Sequence, residues 1–295
     1  MKCDLRYSGS RKCTRAKFRS LLPHFFILFI FASLPARSTP LITERQDSIP
    51  SGKASTGNTG NSHVHFTCSE GAIIRGDSTR RQIALIFTGD EYSDGFRSVK
   101  RTLGSARIKA GFFLTGRLYR NPGVRKTIVS LHRKGHYMGP HSDRHLLYND
   151  WSRRDSLLVS KDSMLNDLMA NYASMQALGI VHRVNVFIPP FEWWNREIAD
   201  WCREKQIILF NFSPGTATNA DYTYPEMGAS YRSSDTLFNR LLRLESEKGL
   251  NGCIILVHIG TDPRRTDKFY SRLPALISIL RERGYEFGRV DEMIR

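Results

Sequence analysis

The sequence predicts an α/β protein whose parallel strands close into a (β/α) barrel. From about residue 81, short β-branched or aromatic runs alternate with helix-period segments, an order that implies a parallel sheet with covering helices. Polar, chemically capable residues recur where the strand runs stop, which is where such barrels carry their chemistry. Composition permits a packed core: of 295 residues, 40% are hydrophobic and 24% charged, which excludes a wholly disordered chain and a fibrous repeat.

The first segment, 1–36, reads as a signal peptide. A basic stretch precedes the apolar run 25–34, and small residues follow at Ala36 and Ser38. The run is about half the ~20 residues a spanning helix needs, so cleavage near 36–38 and export to a periplasm, cell envelope or medium are expected, with no stable membrane partner afterwards. Residues 37–80 read as a flexible linker and lead-in, Ser-, Thr-, Gly- and Asn-rich over 37–64. The periodic part, 81–295, reads as the single folded domain, the one expected to carry any chemistry. Strands are expected over 83–88, 111–115, 185–188, 207–210 and 253–257. Helices are expected over 96–108, 124–134, 196–205, 234–248 and 268–283, and Tyr137 and Met138 precede a polar loop. Ser160 is placed to cap a further helix whose Met164, Leu165, Leu168, Met169, Tyr172 and Met175 form an apolar stripe of core character.

The net charge of +16 first suggests nucleic acid. Seven of the cations fall in 1–36, and the rest read as scattered, with no Lys/Arg-aromatic stripe, so no nucleic-acid partner is expected. Cys68, Cys202 and Cys253 remain beyond the signal. Their spacing excludes a zinc ribbon or a CxxC redox site and leaves at most one disulfide, with buried free thiols the simpler reading.

The strand ends carry the chemistry. The first strand runs into Gly89-Asp90-Glu91-Tyr92-Ser93-Asp94, and the third strand region into His141-Ser142-Asp143-Arg144-His145. The fourth ends in Pro189-Pro190-Phe191-Glu192-Trp193-Trp194, and the last in Leu256-Val257-His258. The second strand end offers nothing comparable. An Asp with two His and an open position is a hydrolytic metal set. An H-x₃-H pair shares one face only if its segment makes a helical turn, so it is the joint order of these pieces on successive strand ends that carries weight.

In these motifs the chain resembles the polysaccharide deacetylases of the NodB-homology carbohydrate-esterase family, over about residues 81–295. His141-Ser142-Asp143-Arg144-His145 matches the family's H-[ST]-x-x-H. Phe187-Ile188-Pro189-Pro190-Phe191 matches F-R-P-P-Y in part, and Leu256-Val257-His258 matches L-x-H. The resemblance implies a distorted (β/α) barrel of the polysaccharide deacetylase type and removal of acetyl groups from N- or O-acetylated glycans. It implies Asp90, His141 and His145 as ligands of a divalent metal, most simply Zn²⁺, and His258 as the acid for the leaving group. The chain departs from the family where T-F-D-D-G would place a base, since Gly89 stands there, and where that base's Arg partner would stand, since Ile188 does. The two losses agree with each other. A relocated base is then expected from Glu192, Glu91 or Asp94, with Glu192 preferred; otherwise the chain is a carbohydrate-binding protein on a degraded site. Pro190, Phe191, Trp193, Trp194 and Tyr92, with Phe212, are the candidates for contact with the acetylated glycan.

Overall fold

A computed structural model describes residues 66–294. The signal and most of the linker lie outside the described residues. The chain enters through a hairpin, β1 (Thr67–Ser69) and β2 (Ala72–Arg75), within the span expected as lead-in. It continues through β3 (Gln82–Gly89), α1 (Phe96–Ala106), β4 (Gly111–Leu114), α2 (Gly116–Arg120), α3 (Pro122–Arg133) and β5 (Tyr137–Pro140). Then follow α4 (Lys161–Gln176), β6 (Asn185–Phe187), α5 (Arg196–Glu204), β7 (Ile207–Leu209) and α6 (Ser234–Lys248). The last elements are β8 (Ile254–His258), α7 (Leu273–Glu282), β9 (Glu286–Gly288) and α8 (Val290–Met293). Among the described residues no helix is long and apolar enough to cross a membrane.

The sheet is parallel and its closure is interrupted. β5, β4, β3 and β8 pair in that order, β9 joins the start of β3, and β6 pairs with β7 separately. Side chains span the two gaps. The Tyr137 hydroxyl donates to the Val184 carbonyl and accepts from Val186 N–H, tying β5 to β6. Ser213 Oγ accepts from Ile254 N–H, and Ser213 N–H donates to the Ile254 carbonyl, tying the end of β7 to β8. These interruptions distort the barrel.

Strand alternation sorts the core into layers. Ile83, Leu85 and Phe87 of β3 pack outward with Val99, Ile128, Ile255, Val257 and Ile277 under the helices. Ala84 and Ile86 face inward with Phe113, Val186, Ile188, Phe210 and Leu256. Ser160 caps α4 as expected, accepting from Ser163 N–H, and the structure adds Asn195 and Ser233, which accept from Ile198 N–H and Thr236 N–H at the starts of α5 and α6. Cys202 and Cys253 are buried thiols, as the simpler reading has it, and burial pushes Cys202 up to about 12. Cys68 is free and exposed.

Candidate active site

His141 and His145 follow β5, and no helical turn joins them. Ser142 (φ 69) and His145 (φ 56) instead take left-handed backbone, which costs a non-glycine residue on the order of 1 kcal/mol or more. The result still brings His145 Nε2 within 3.3 Å of His141 Nε2. Helix α4 holds this loop open. Buried Asp167 accepts from Ser142 Oγ at 2.5 Å, Asp143 N–H at 2.8 Å, and Arg144 N–H and Nε. One turn on, Asn171 Oδ1 accepts from His141 N–H at 2.9 Å. Ser174, a further turn along, meets Arg120, whose guanidinium also grips Asp143. Asp167, Asn171 and Ser174 were not singled out from the sequence. Their signal is a polar i, i+4, i+7 row on a helix otherwise packed by Met and Leu.

His141 Nδ1 lies 3.0 Å from the Ile188 carbonyl, so it is the N–H nitrogen and Nε2 keeps its lone pair. Burial, with the neighbouring His145 ring, pushes His141 down to about 3; burial, His258 and Arg117 take His145 to about 4. Both rings are therefore neutral, the form that binds a metal.

A second strained loop faces the first. After Pro189 the chain makes a short 3₁₀ turn in which Phe191 (φ 59) and Glu192 (φ 53) are both left-handed. The turn is fixed by Glu192 N–H donating to the Pro189 carbonyl and Asn211 Nδ2 to the Glu192 carbonyl. It drives Glu192 Oε1 to 3.8 Å from His141 Nε2, buried and without a hydrogen-bond partner. Burial raises its carboxyl to about 7, the nearby His258 opposing and Asp221 adding to the rise.

His258, at the end of β8, lies across β3 from these loops, in register with Thr88. Asp221, in a 3₁₀ turn over Thr218–Tyr222, holds it: Oδ1 meets His258 Nδ1 at 2.6 Å and Oδ2 accepts from His258 N–H at 3.0 Å. Burial opposes the imidazolium, but the Asp221 carboxylate more than offsets this and the pKa rises. Asp221 was not singled out from the sequence. It sits in an irregular stretch, with no local pattern to mark its pairing with a strand end 37 residues on.

Asp90 leaves the end of β3 with Oδ1 buried and unpartnered and Oδ2 3.5 Å from an Arg117 guanidinium nitrogen. Arg117 comes from α2, just after the second strand, so that strand end contributes after all. Gly89 faces the other way. A Cβ there would stand 2.5 Å from Ile259 Cγ2 and 3.0 Å from Leu118 Cδ2, both in the outer apolar layer. A carboxylate at 89 would point away from the imidazoles, so the inward positions at this strand end are Thr88 and Asp90.

Other sequence expectations fare unevenly. Glu91 is exposed on the rim. Asp94 is turned to the C-terminal side, where it accepts from Thr261 N–H and the Tyr270 hydroxyl and pairs with Lys268, which removes it as a base. Trp194 is a core residue whose indole N–H donates to the Glu70 carbonyl, so it offers no face to a sugar. Pro190 is buried and shapes the turn. Phe212 packs against the inner core, and Tyr92 leans on Asp262 at 3.4 Å. Phe191 and Trp193 do form a rim, joined by a residue not singled out, Trp151. The Phe191 ring lies 4.3 Å from His145 and 5.7 Å from Trp151, which stacks on Trp193 at 5.6 Å. Phe191 is 40% and Trp151 52% exposed, which leaves ring faces open beside the imidazoles.

Among the described residues, no three His, Cys, Asp or Glu side chains stand as a ready-made metal cage. The donor set nonetheless suits a divalent ion: two neutral imidazoles with converging Nε2 atoms and the Asp90 carboxylate, whose buried Oδ1 lacks a partner, with the equally unpartnered Glu192 Oε1 beside them.

Comparison with known proteins gives consistent relatives. The family model "Polysaccharide deacetylase" matches residues 75–207. A curated relative, the uncharacterized protein YlxY of Bacillus subtilis, is 26% identical over 226 residues, covering 75% of this chain; the chain spans 60% of that protein's length. Among solved structures, the wild-type BA3943 pseudoenzyme of the CE4 family from Bacillus anthracis superposes with a TM-score of 0.60 at 19% identity, over 77% of this chain and 70% of that one. The Bc1960 peptidoglycan N-acetylglucosamine deacetylase gives 0.60 at 18% identity, over 75% of this chain and 91% of that one. At these identities the structural likeness is one of fold.

Proposed function

The chain belongs to the polysaccharide deacetylase family, and from that premise we propose that it is an exported, metal-dependent hydrolase that removes acetyl groups from an acetylated glycan. The observation that carries this reading is the convergence of His141 Nε2, His145 Nε2 and the unpartnered Glu192 Oε1 at the strand ends, opposite an Asp221-oriented His258.

Asp90, His141 and His145 would hold the divalent ion, with Zn²⁺ the simplest choice for this donor set. When bound, the ion supplies Lewis-acid polarisation of the acetyl carbonyl and acidification of water. Glu192 takes the proton from the attacking water. Its position beside His141, reached through two left-handed residues, is the geometry expected of a base relocated from position 89. His258 carries its proton on Nε2 while Asp221 holds Nδ1, and it passes that proton to the leaving nitrogen or oxygen. The Phe191, Trp151 and Trp193 faces stack sugar rings next to the reacting unit.

Glu192→Gln should lower acetate release about 10²–10⁴-fold, the usual contribution of a general base, while Zn²⁺ content stays at the wild-type level. His258→Ala should do the same through the leaving group. If both variants turn over at the wild-type rate, these roles are wrong. A second reading has two supporting observations: position 89 carries no carboxylate, and one fold neighbour is a pseudoenzyme. On that reading the chain binds glycan without cleaving it, and the wild type retains metal yet releases no acetate from any substrate.

A further inference from the structure

The positive charge is not scattered as the sequence first suggests. Residues 95–142 hold eleven Lys and Arg and no Asp or Glu. With the signal segment set aside, the rest of the chain is close to neutral. The fold places this segment as α1, β4, α2, α3 and β5, so its cations ride on the helices of one flank of the barrel. Arg117 and Arg120 turn back to Asp90 and Asp143. Others line a groove of about 450 Å³ between α1 and α3: Arg97, Lys100 and Arg101, at i, i+3 and i+4 on one face of α1, and Lys134 at the end of α3, with Ser105 and Thr127. None of these four cations makes an ion pair among the described residues. Glu282, which lines the neighbouring groove between α1 and α7, accepts from Ser278 instead.

Gly104 adds a second observation. It sits inside α1 on the groove wall, where glycine weakens a helix relative to alanine. A Cβ there would meet no atom within 4 Å, so packing does not require the glycine. A bare backbone patch beside unpaired cations suits the close approach of a ligand chain.

We propose that the groove between α1 and α3 binds an acidic polysaccharide, at a surface separate from the imidazole site. The groove is shallow and open along its length, so a linear polyanion can lie across its cations without threading into an enclosed pocket. Its lining contains cations, hydroxyls and glycine and no aromatic ring. It therefore lacks the stacking platform that single-stranded nucleic acid uses and the apolar anchors of a membrane-seated helix. Guanidinium and ammonium groups pair with carboxylate or sulfate, and Ser105 and Thr127 can bond sugar hydroxyls.

The test is binding of the full chain to polygalacturonate, with dextran as the neutral control. The expected result is binding to polygalacturonate alone, weakening steeply between 50 and 200 mM salt as condensed counterions are restored, on the order of 10-fold or more. Exchange of Arg97, Lys100, Arg101 and Lys134 together for Gln should weaken binding at least about 10-fold, since each exposed pair contributes a fraction of 1 kcal/mol. The thermal midpoint and hydrolysis of a neutral acetylated oligosaccharide should be unchanged. Exchanging four cations elsewhere, Arg183, Lys205, Arg240 and Lys248, should leave binding within about 2-fold of wild type if the groove rather than net charge is responsible. Equal losses in the two quadruple variants overturn the proposal. So does tighter binding to phosphatidylglycerol vesicles or single-stranded DNA than to polygalacturonate.

Discussion

Asp167→Ala tests how the paired histidines are held. In the folded chain this carboxylate is buried and accepts four hydrogen bonds, from Ser142 Oγ, Asp143 N–H, Arg144 N–H and Arg144 Nε. The Arg144 side chain is 65% exposed, so its ion pair contributes little after solvent screening. Ser142 and Asp143 are buried, and their donors lose their acceptor in the variant. Each of the two buried orphans costs about 1–3 kcal/mol, and water entering the space left by the carboxylate favours the lower half of that range, so the loss should be about 2–4 kcal/mol. With a urea slope of about 2–3 kcal/mol/M for a domain of this size, the unfolding midpoint falls by about 0.7–2 M with the slope unchanged. The left-handed backbone of Ser142 and His145 is then no longer held, so Zn²⁺ affinity drops in the variant even under conditions where it is fully folded. Asp167→Asn, which keeps one acceptor oxygen, should fall between. A midpoint shift under about 0.3 M, with metal affinity intact, would refute the claim that α4 maintains the site.

Asp221→Asn removes the carboxylate that raises His258, leaving burial to lower it. The wild-type rate should fall on the basic side as pH climbs through the raised His258 pKa, above the ordinary 6.5, and on the acid side as Glu192, raised to about 7, takes up its proton; in the variant the basic limb moves toward acid. Gly89→Asp should destabilise by at least ~2 kcal/mol through overpacking and a buried charge, with no gain in acetate release, because its Cβ would press on Ile259. His136 is a buried core imidazole whose Nδ1 accepts from Ala110 N–H, and burial first, then Lys109 and Lys134, lowers it to about 4. The unfolded chain binds its proton more readily between pH 6.5 and 4, so stability is lost as pH falls through that window, by up to about 3 kcal/mol. His136→Gln should flatten that part of a stability–pH curve.

The residues legible in the sequence are those whose place follows from local pattern. His141, His145, Glu192 and His258 stand where strand runs stop, and a parallel barrel brings strand ends to one rim. The residues that hold them were not legible, because their pairing is long-range. Asp167 and Asn171 look like ordinary polar positions on a helix until the loop 24–30 residues earlier folds onto them. Asp221 lies in a turn with no period. Trp194 and Trp193 are adjacent in sequence and identical in type. Only the turn at Phe191 decides that one ring is buried and the other stacks on Trp151. The convergence of the H-x₃-H pair required strained loop backbone, which no spacing rule foretells. The charge pattern was fully present in the sequence, and its meaning emerged when β4 and β5 turned inward and left the cations of α1 and α3 on one outer flank.

Acetate released by the purified chain from a panel of N- and O-acetylated glycans, with and without a chelator, tests the deacetylase reading most directly. The predicted result is release from at least one glycan, abolished by the chelator and restored by added Zn²⁺. Stoichiometric bound metal with no acetate from any glycan, or release that the chelator leaves untouched, would contradict it.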